Sequence, residues 1–330
     1  MVQGKGIALR GCGSATPQVA FHNDQMSRIV ETNDEWIASR TGIRSRKLAS
    51  PEESLVSLAS KAASQALEMA GVDADALDLI ILATSTPDDL FGSAAEVQAS
   101  IGARHAVAFD LTAACSGFIF GLINAAQFIR TGVYSNVLVI GADLLSRWVD
   151  WEDRRTCVLF GDGAGAVVIQ ADDRDRLKGF AMQSNGELNC HLKLPFVGTP
   201  RPLVDDIAVG QGTYQPIAMN GQEVYRFAVR RVPEIIEKAL FQAAVKVEEI
   251  DWLLLHQANQ RILDAAAKRL KIPPEKVISN MANYGNTSAA SIPLTLDTHV
   301  RSGQIKPGDL IASAGFGAGL SWGAAIFEWQ

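Results

Sequence analysis

The stretch Leu67-Glu-Met-Ala-Gly-Val-Asp-Ala-Asp-Ala-Leu-Asp78 reads as a helix end, a glycine stop and the lead into a strand. It occurs again, altered, as Leu240-Phe-Gln-Ala-Ala-Val-Lys-Val-Glu-Glu-Ile-Asp251. Each copy is followed by an aliphatic run, Leu79 to Leu82 and Leu253 to Leu255, and from Asp78 to Asp251 the offset is 173 residues. A second correspondence agrees. A helix begun at Cys115 ends at Arg130-Thr-Gly132 and one begun at Asn286 ends at Arg301-Ser-Gly303, each 15 residues on, at an offset of 171. Apolar strands follow, Val137 to Ile140 and Leu310 to Ala312, and both halves close on glycines, Phe160-Gly-Asp-Gly-Ala-Gly165 and Phe316-Gly-Ala-Gly-Leu320. Nearly constant offsets over more than half the chain indicate a duplication. Residues 1–171 then form one half and 172–330 the other, with the charged stretch Asp172 to Lys178 as the turn between them.

Upstream of Leu67, Ser50-Pro-Glu-Glu53 reads as a helix start, with Ser50 as N-cap, Pro51 in the first turn and a capping-box glutamate. Leu55, Leu58, Ala62, Ala66 and Met69 recur on one face, and Gly71 stands at the C′ position. Strands alternating with amphipathic helices define an α/β fold. Two such units bury their apolar faces on each other, giving layered sheets and helices with a shared central helical layer, where the uncharged helix after Cys115 belongs.

The 330 residues are 48% hydrophobic and 20% charged, with a formal charge of −6. That apolar fraction excludes a disordered chain, and the acidic balance excludes a basic nucleic-acid binder. Four cysteines at 12, 115, 157 and 190 contain no C-x-x-C pair, so a reduced, cytoplasmic protein is expected. The N-terminal run from Met1 is broken by Arg10 and lacks the apolar stretch of a secretory signal. Leu111 to Ile129 has no charge, but Thr112, Ser116, Asn124 and Gln127 mark it as buried in protein rather than in a membrane.

Equivalent strand ends and helix starts of a duplicated fold converge near its pseudo-twofold axis, and there the copies differ. Ala83 is matched by His256, and Cys115 by Asn286. A helix N-terminus at Cys115 favours thiolate over thiol. Taken singly, Cys115 reads equally as a small buried residue, His256 as a core histidine and Asn286 as a helix cap. Together they form a Cys-His-Asn set without an acidic partner, which suits acyl transfer through a thioester. No metal-ligand spacing occurs, and Gly161 to Gly165 lacks the lysine of a phosphate loop, so it reads as a close-packing turn.

With these motifs in hand, the chain resembles the β-ketoacyl-acyl-carrier-protein synthase III family of the thiolase superfamily over essentially its whole length. The matching segments are Thr32-Asn-Asp-Glu-Trp36-Ile-Ala-Ser-Arg40-Thr-Gly-Ile-Arg44, Ala113-Ala-Cys115-Ser-Gly117, Phe160 to Gly165, His256-Gln-Ala-Asn259, Tyr284-Gly-Asn286-Thr-Ser288 and Phe316-Gly-Ala-Gly319. The resemblance implies a duplicated five-layer α-β-α-β-α sandwich and a homodimer. It implies Cys115 as the nucleophile that takes an acyl group, typically acetyl, from acyl-coenzyme A. His256 and Asn286 would hold the enolate oxygen left when malonyl-acyl-carrier protein loses carbon dioxide. The backbone amides of Cys115 and Gly319 would form the oxyanion hole. An asparagine at 286, rather than a second histidine, distinguishes the family from the elongating synthases.

The resemblance further implies that Trp36 and Arg154 sandwich the coenzyme A adenine, that Arg40 meets its phosphates, and that Asn259 and Gly221 lie along the pantetheine arm. Phe91 would reach into the acyl pocket of a second subunit. It is followed by Gly92, where proline is frequent, and the loop from Glu187 to Pro216 reads as long and irregular, so the chain-length preference stays open. Arg261, Lys268 and Arg269, with Lys271 just after, make a basic helix suited to an acidic carrier protein, or else a solvated charged face. No cofactor or metal is implied, acyl-coenzyme A being a substrate. The leading expectation is the condensing enzyme that starts type II fatty acid synthesis. The alternatives are a related acyltransferase of secondary metabolism that does not decarboxylate, and an inactive, partner-binding member of the fold.

Overall fold

The computed structural model describes residues 6–330; residues 1–5, where the run read against a secretory signal begins, lie outside the described residues. One sheet has the strand order Gly6–Ala15, Asp162–Asp172, Asn136–Leu144, Leu79–Ala83, Val107–Leu111. Its last three strands run parallel. The second sheet orders Trp252–Leu255, Leu310–Gly317, Ser321–Glu328 and Leu177–Ser184, with only its first pair parallel. Leu79–Ala83 is buried at every position, which is why it reads as an unbroken aliphatic run: a parallel strand covered on both faces has no polar side to alternate with.

Helix Leu55–Ala70 packs on the outer face of the first sheet and Gly221–Ala243 on that of the second. Between the sheets lie Gly117–Arg130 and Ser291–Arg301. Phe118, Leu122, Ile292 and Leu296 from this middle layer join Ile7 and Leu9 of one sheet and Ile311 and Phe327 of the other in one core. Each such side chain contributes roughly 1.5–3 kcal/mol by leaving water. The layers run helix, sheet, helix, sheet, helix, as a thiolase-like fold requires. Protein covers most of the middle helix, leaving Asn124 and Gln127 exposed, which explains its missing charges between Gly117 and Arg130. Among the described residues no helix is long and apolar enough to cross a membrane.

Several local expectations are corrected. The first long helix is capped by Ser54, not Ser50: Ser54 Oγ accepts Ser57 N–H at 3.0 Å, and Ser57 Oγ accepts Ser54 N–H at 3.2 Å. Glu53 instead turns back to accept the amides of Ser50 and Gln18, holding the Pro51 turn outside the helix. Gly71 is the left-handed C-cap expected of it, at φ +64°. Gly163 and Gly165 lie within the strand Asp162–Asp172, not in a turn, and a Cβ at Gly165 would stand 2.6 Å from Leu294 N of the middle layer. The segment expected as an irregular loop contains an exposed hairpin, Phe196–Val204 paired with Ile207–Tyr214.

Cys115 and Asn286 do not begin helices. Cys115 lies in a 3-10 turn, Ala114–Ser116, ahead of Gly117–Arg130, and Asn286 precedes the corresponding turn Ser288–Ala290 ahead of Ser291–Arg301. Ala114 and Ser288 both hold left-handed backbone, φ +47° and +52°. By these landmarks the counterpart of Cys115 is Ala289. Gly141 packs on the Ala289 carbonyl as Gly315 packs on that of Cys115. The match of Ala83 with His256 holds by register: Ala83 pairs with Gly141, and His256, next after the Leu255–Ala314 pair, falls beside Gly315.

Candidate active site

Cys115 is nearly buried at the foot of the middle helix, and Ser288 Oγ donates to its Sγ at 3.3 Å. Burial pushes the thiol up to about 12; the Ser288 hydrogen bond pulls it down and the nearby Asp143 carboxylate pushes it further up. In the free site burial therefore opposes the thiolate that the approach to the helix favours. Asp143 is fully buried and accepts Ser85 N–H at 2.8 Å, Thr86 Oγ1 at 3.1 Å and Ala289 N–H at 3.2 Å. Burial raises its own carboxyl above the ordinary range.

His256 continues the buried strand Trp252–Leu255, its N–H bonded to Ala314 O at 2.9 Å. Burial pushes its imidazole down to about 3, so the ring is neutral through the working pH range. Nδ1 lies 2.7 Å from Ser291 Oγ, and the Phe316 ring stands edge-on at 5.4 Å between centroids. Asn286 is held by its backbone to Leu159 and Gly161, and its Oδ1 accepts Ser288 N–H at 2.9 Å. That bond orients the amide with its NH2 toward the cavity.

Cys115, His256, Asn286 and Phe316 line one cavity of about 370 Å³, together with Trp36, Arg40, Arg154, Gly221, Asn259 and Arg261. Trp36 sits on the helix Asp34–Thr41, whose N-cap Asn33 accepts Trp36 N–H at 2.7 Å. Two guanidiniums flank its ring: Arg40 Cζ at 4.6 Å and Arg154 Cζ at 4.9 Å from the centroid. A base inserted between Trp36 and Arg154 needs roughly 7 Å, twice a contact distance of about 3.5 Å. Arg154, now donating to Glu31 O at 2.6 Å, must swing outward to admit one. Asn259 caps the helix Gln260–Leu270 by accepting Arg261 N–H at 2.9 Å, and its Nδ2 donates to Arg40 O at 3.0 Å. Gly221 opens the helix Gly221–Ala243 with only Met219 Cε near the place of a Cβ.

The other expected residues, Arg261 excepted, do not line the cavity. Gly319 is exposed in the turn joining Leu310–Gly317 to Ser321–Glu328, and it is Gly317, not Gly319, whose missing Cβ faces Cys115 N at 2.5 Å. That turn is tied to the nucleophile segment by Ser116 Oγ and Ser321 Oγ, 2.8 Å apart. Phe91 is fully exposed and does not line the cavity of its own chain. Arg269 bonds Arg230 O at 3.0 Å and pairs with Glu234 at 3.5 Å, and Arg261 lies over the Tyr225 ring at 5.8 Å, while Lys268 is exposed. Ser288, Ser291 and Asp143 are absent from the sequence-based set. Asp143 carries a readable signal, an acid three residues after the aliphatic run Val137 to Ile140 ends, whereas the serines read as ordinary helix-start residues. Among the described residues no group of three or more His, Cys, Asp or Glu side chains could hold a metal ion.

The family model for 3-oxoacyl-[acyl-carrier-protein] synthase III matches residues 109–186, and that for its C-terminal region matches 240–329. The chain is 71% identical over 325 residues to the β-ketoacyl-[acyl-carrier-protein] synthase III of Acaryochloris marina, covering 98% of each. It is 66% identical to that of Nostoc, covering 99% of each. The synthase III structure from Aquifex aeolicus superposes with TM-score 0.90 at 44% identity, over 98% of this chain and all of that one. The priming β-ketosynthase of the R1128 polyketide pathway gives 0.91 at 33% identity, over 100% and 98%. The chain belongs to the β-ketoacyl-[acyl-carrier-protein] synthase III family, and is an acyl-transferring condensing enzyme that starts fatty acid synthesis.

Proposed function

We propose that Cys115 takes an acetyl group from acetyl-coenzyme A and that the acetyl-enzyme condenses with malonyl-acyl-carrier protein. The observation that carries this reading is that Cys115, His256 and Asn286 share one cavity with Trp36 and Arg154 at its mouth. In the first half-reaction the Cys115 sulfur attacks the thioester carbonyl, the S–C bond to coenzyme A breaks, and the thiol proton leaves with the coenzyme A sulfur. In the second, the bond between the malonyl carboxylate and its α-carbon breaks and carbon dioxide departs. The electron pair moves onto the thioester as an enolate. His256 and Asn286 donate hydrogen bonds to the enolate oxygen, each contributing on the order of 10²–10³ in rate. The α-carbon then attacks the acetyl carbon, and the Cys115 sulfur leaves as a thiolate and takes up a proton from solvent, its first proton having left with coenzyme A.

In this reading the backbone amide of Cys115 holds the acyl oxygen, while Gly319, the expected second donor, stands exposed in the turn beyond Gly317. Trp36 and Arg154 clasp the adenine after Arg154 swings out, Arg40 meets the phosphates, and Gly221 and Asn259 flank the pantetheine. Arg261, Lys268 and Arg269 meet the acidic carrier protein. The enzyme works in the cytoplasm as a homodimer of duplicated chains, halves 1–171 and 172–330. The fully exposed Phe91 supports the dimer, as do Val107 and Phe109, half-exposed on the edge strand of the first sheet. Mass spectrometry after mixing with acetyl-coenzyme A is expected to find the acetyl adduct on Cys115. His256→Ala and Asn286→Ala are expected to lose carbon dioxide release while retaining that adduct. No adduct, or unchanged condensation in either variant, refutes the assignment.

A further inference from the structure

His256 Nδ1 and Ser291 Oγ lie 2.7 Å apart, and both residues are buried. Ser291 opens the helix Ser291–Arg301, and its hydroxyl oxygen also accepts Gln257 N–H at 3.3 Å. Its carbonyl accepts Thr295 Oγ1 at 2.7 Å, so the serine is held on both sides. A neutral imidazole carries one N–H, on either nitrogen. If Nδ1 carried it, Ser291 Oγ would accept from both Nδ1 and Gln257. The serine's own proton would then have no acceptor among the described residues, at a side chain buried beneath the cavity, an arrangement that buried donors avoid. If Ser291 donates to a bare Nδ1, the buried serine proton has its acceptor and Nε2 carries the hydrogen, His256 lining the cavity.

We infer that Ser291 fixes His256 as the Nε2–H tautomer and so acts as a positioning residue for the decarboxylation half of the reaction. The inference rests on the reading of His256 as a donor to the enolate oxygen. Ser291 touches no substrate, and no proton is transferred through it. Nε2 keeps its hydrogen while the electron pair of the broken carbon–carbon bond passes to the enolate and then into the new bond. The orientation matters because a bare Nε2 would turn a lone pair toward the developing negative charge. Asn286 is aimed in parallel, its Oδ1 taken by Ser288 N–H, so two serines on adjoining turns direct the two donors.

The first test needs no variant of Ser291. In ¹⁵N NMR of the histidine-labelled enzyme, with the His256 signals identified by their loss in His256→Gln, Nε2 is expected to give a protonated shift and Nδ1 an unprotonated one. The reverse pattern overturns the inference. The second test separates the half-reactions. Ser291→Ala is expected to acetylate Cys115 at close to the normal rate and to release carbon dioxide from malonyl-acyl-carrier protein roughly 10- to 100-fold more slowly, the scale on which losing an orienting hydrogen bond to a functional histidine acts. Ser291→Thr, which keeps the hydroxyl, is expected to recover most of that loss. Equal loss of both half-reactions in Ser291→Ala with no recovery in Ser291→Thr would reduce the serine to packing and refute its role. Full carbon dioxide release in Ser291→Ala alongside none in His256→Ala refutes Ser291 and leaves His256 standing. Full release in His256→Ala itself removes the underlying reading instead.

Discussion

Gly317→Ala is expected to slow acetylation of Cys115 by about 10²-fold while leaving the chain folded. The backbone at 317 is not left-handed, so alanine meets no conformational objection there. What opposes it is space: an ideal Cβ would stand 2.5 Å from Cys115 N, 3.0 Å from Ala114 Cβ and 3.2 Å from Cys115 Cα. Restoring a contact of about 3.5 Å requires the nucleophile turn and the strand end to part by roughly 1 Å. A misplacement of about 1 Å at reacting atoms costs on the order of 10² in rate, and overpacking of this kind costs about 1–3 kcal/mol in stability. Gly315 supplies the graded control. Its Cβ would stand 3.1 Å from Cys115 O and 3.3 Å from Ser116 Cα, so Gly315→Ala asks for shifts of only a few tenths of an ångström and a much smaller loss. The assay is the time course of the acetyl adduct at saturating acetyl-coenzyme A, with thermal melting to verify folding. A Gly317→Ala enzyme that acetylates at the normal rate, or one slowed no more than Gly315→Ala, would refute the steric argument.

Two further outcomes test the local structure. Ser54→Ala is expected to lower stability by about 1 kcal/mol and Ser50→Ala by much less, since Ser54 and not Ser50 caps the helix Leu55–Ala70; equal losses in denaturant melts would restore the earlier helix start. His256, held near 3 in the folded state against ~6.5 unfolded, makes the unfolded chain the better proton binder between those values. Its contribution to stability is therefore complete above pH ~6.5 and is lost toward pH 3 at up to about 1.4 kcal/mol per unit. Urea midpoints from pH 7 to 5 should fall less steeply in His256→Gln, and parallel curves would contradict the neutral, buried imidazole.

The fold was legible where its determinants are local. The run Leu79 to Leu82 between Asp78 and Ala83, and Gly71 at φ +64°, each declare their element within a few residues. The helix start was misread because the choice between Ser50 and Ser54 depends on Glu53 reaching Gln18 N, 35 residues away. Cys115 was matched with Asn286 for a geometric reason. The helix Gly117–Arg130 has 14 residues and Ser291–Arg301 has 11, so aligning their ends displaces their starts by nearly one turn. The hairpin from Phe196 to Tyr214 escaped because Pro200 and Pro202 interrupt one arm and every residue of both is exposed, leaving no buried face to impose alternation. At the site, Cys115, His256 and Asn286 stood out because the copies differ there. Ser288 and Ser291 did not, since only the fold brings them against Sγ and Nδ1.

The two halves also differ at a place where neither residue is a nucleophile. Gly141 packs on the turn of Ala289 as Gly315 packs on that of Cys115, so two residues further along each strand Asp143 corresponds to Gly317. On one side the Asp143 carboxylate takes the Ala289 N–H at 3.2 Å. On the other, position 317 has no side chain, and nothing from it covers the Cys115 N–H, the amide proposed to hold the acyl oxygen. A carboxylate there would put a fixed negative charge where the transition state develops one, cancelling the stabilisation that a preorganised amide provides. The same charge serves the other half, satisfying the turn donors of a site that does no chemistry. The duplicated fold thus assigns opposite electrostatics to equivalent amides, and the active one is set by the absence of a side chain as much as by the presence of the cysteine.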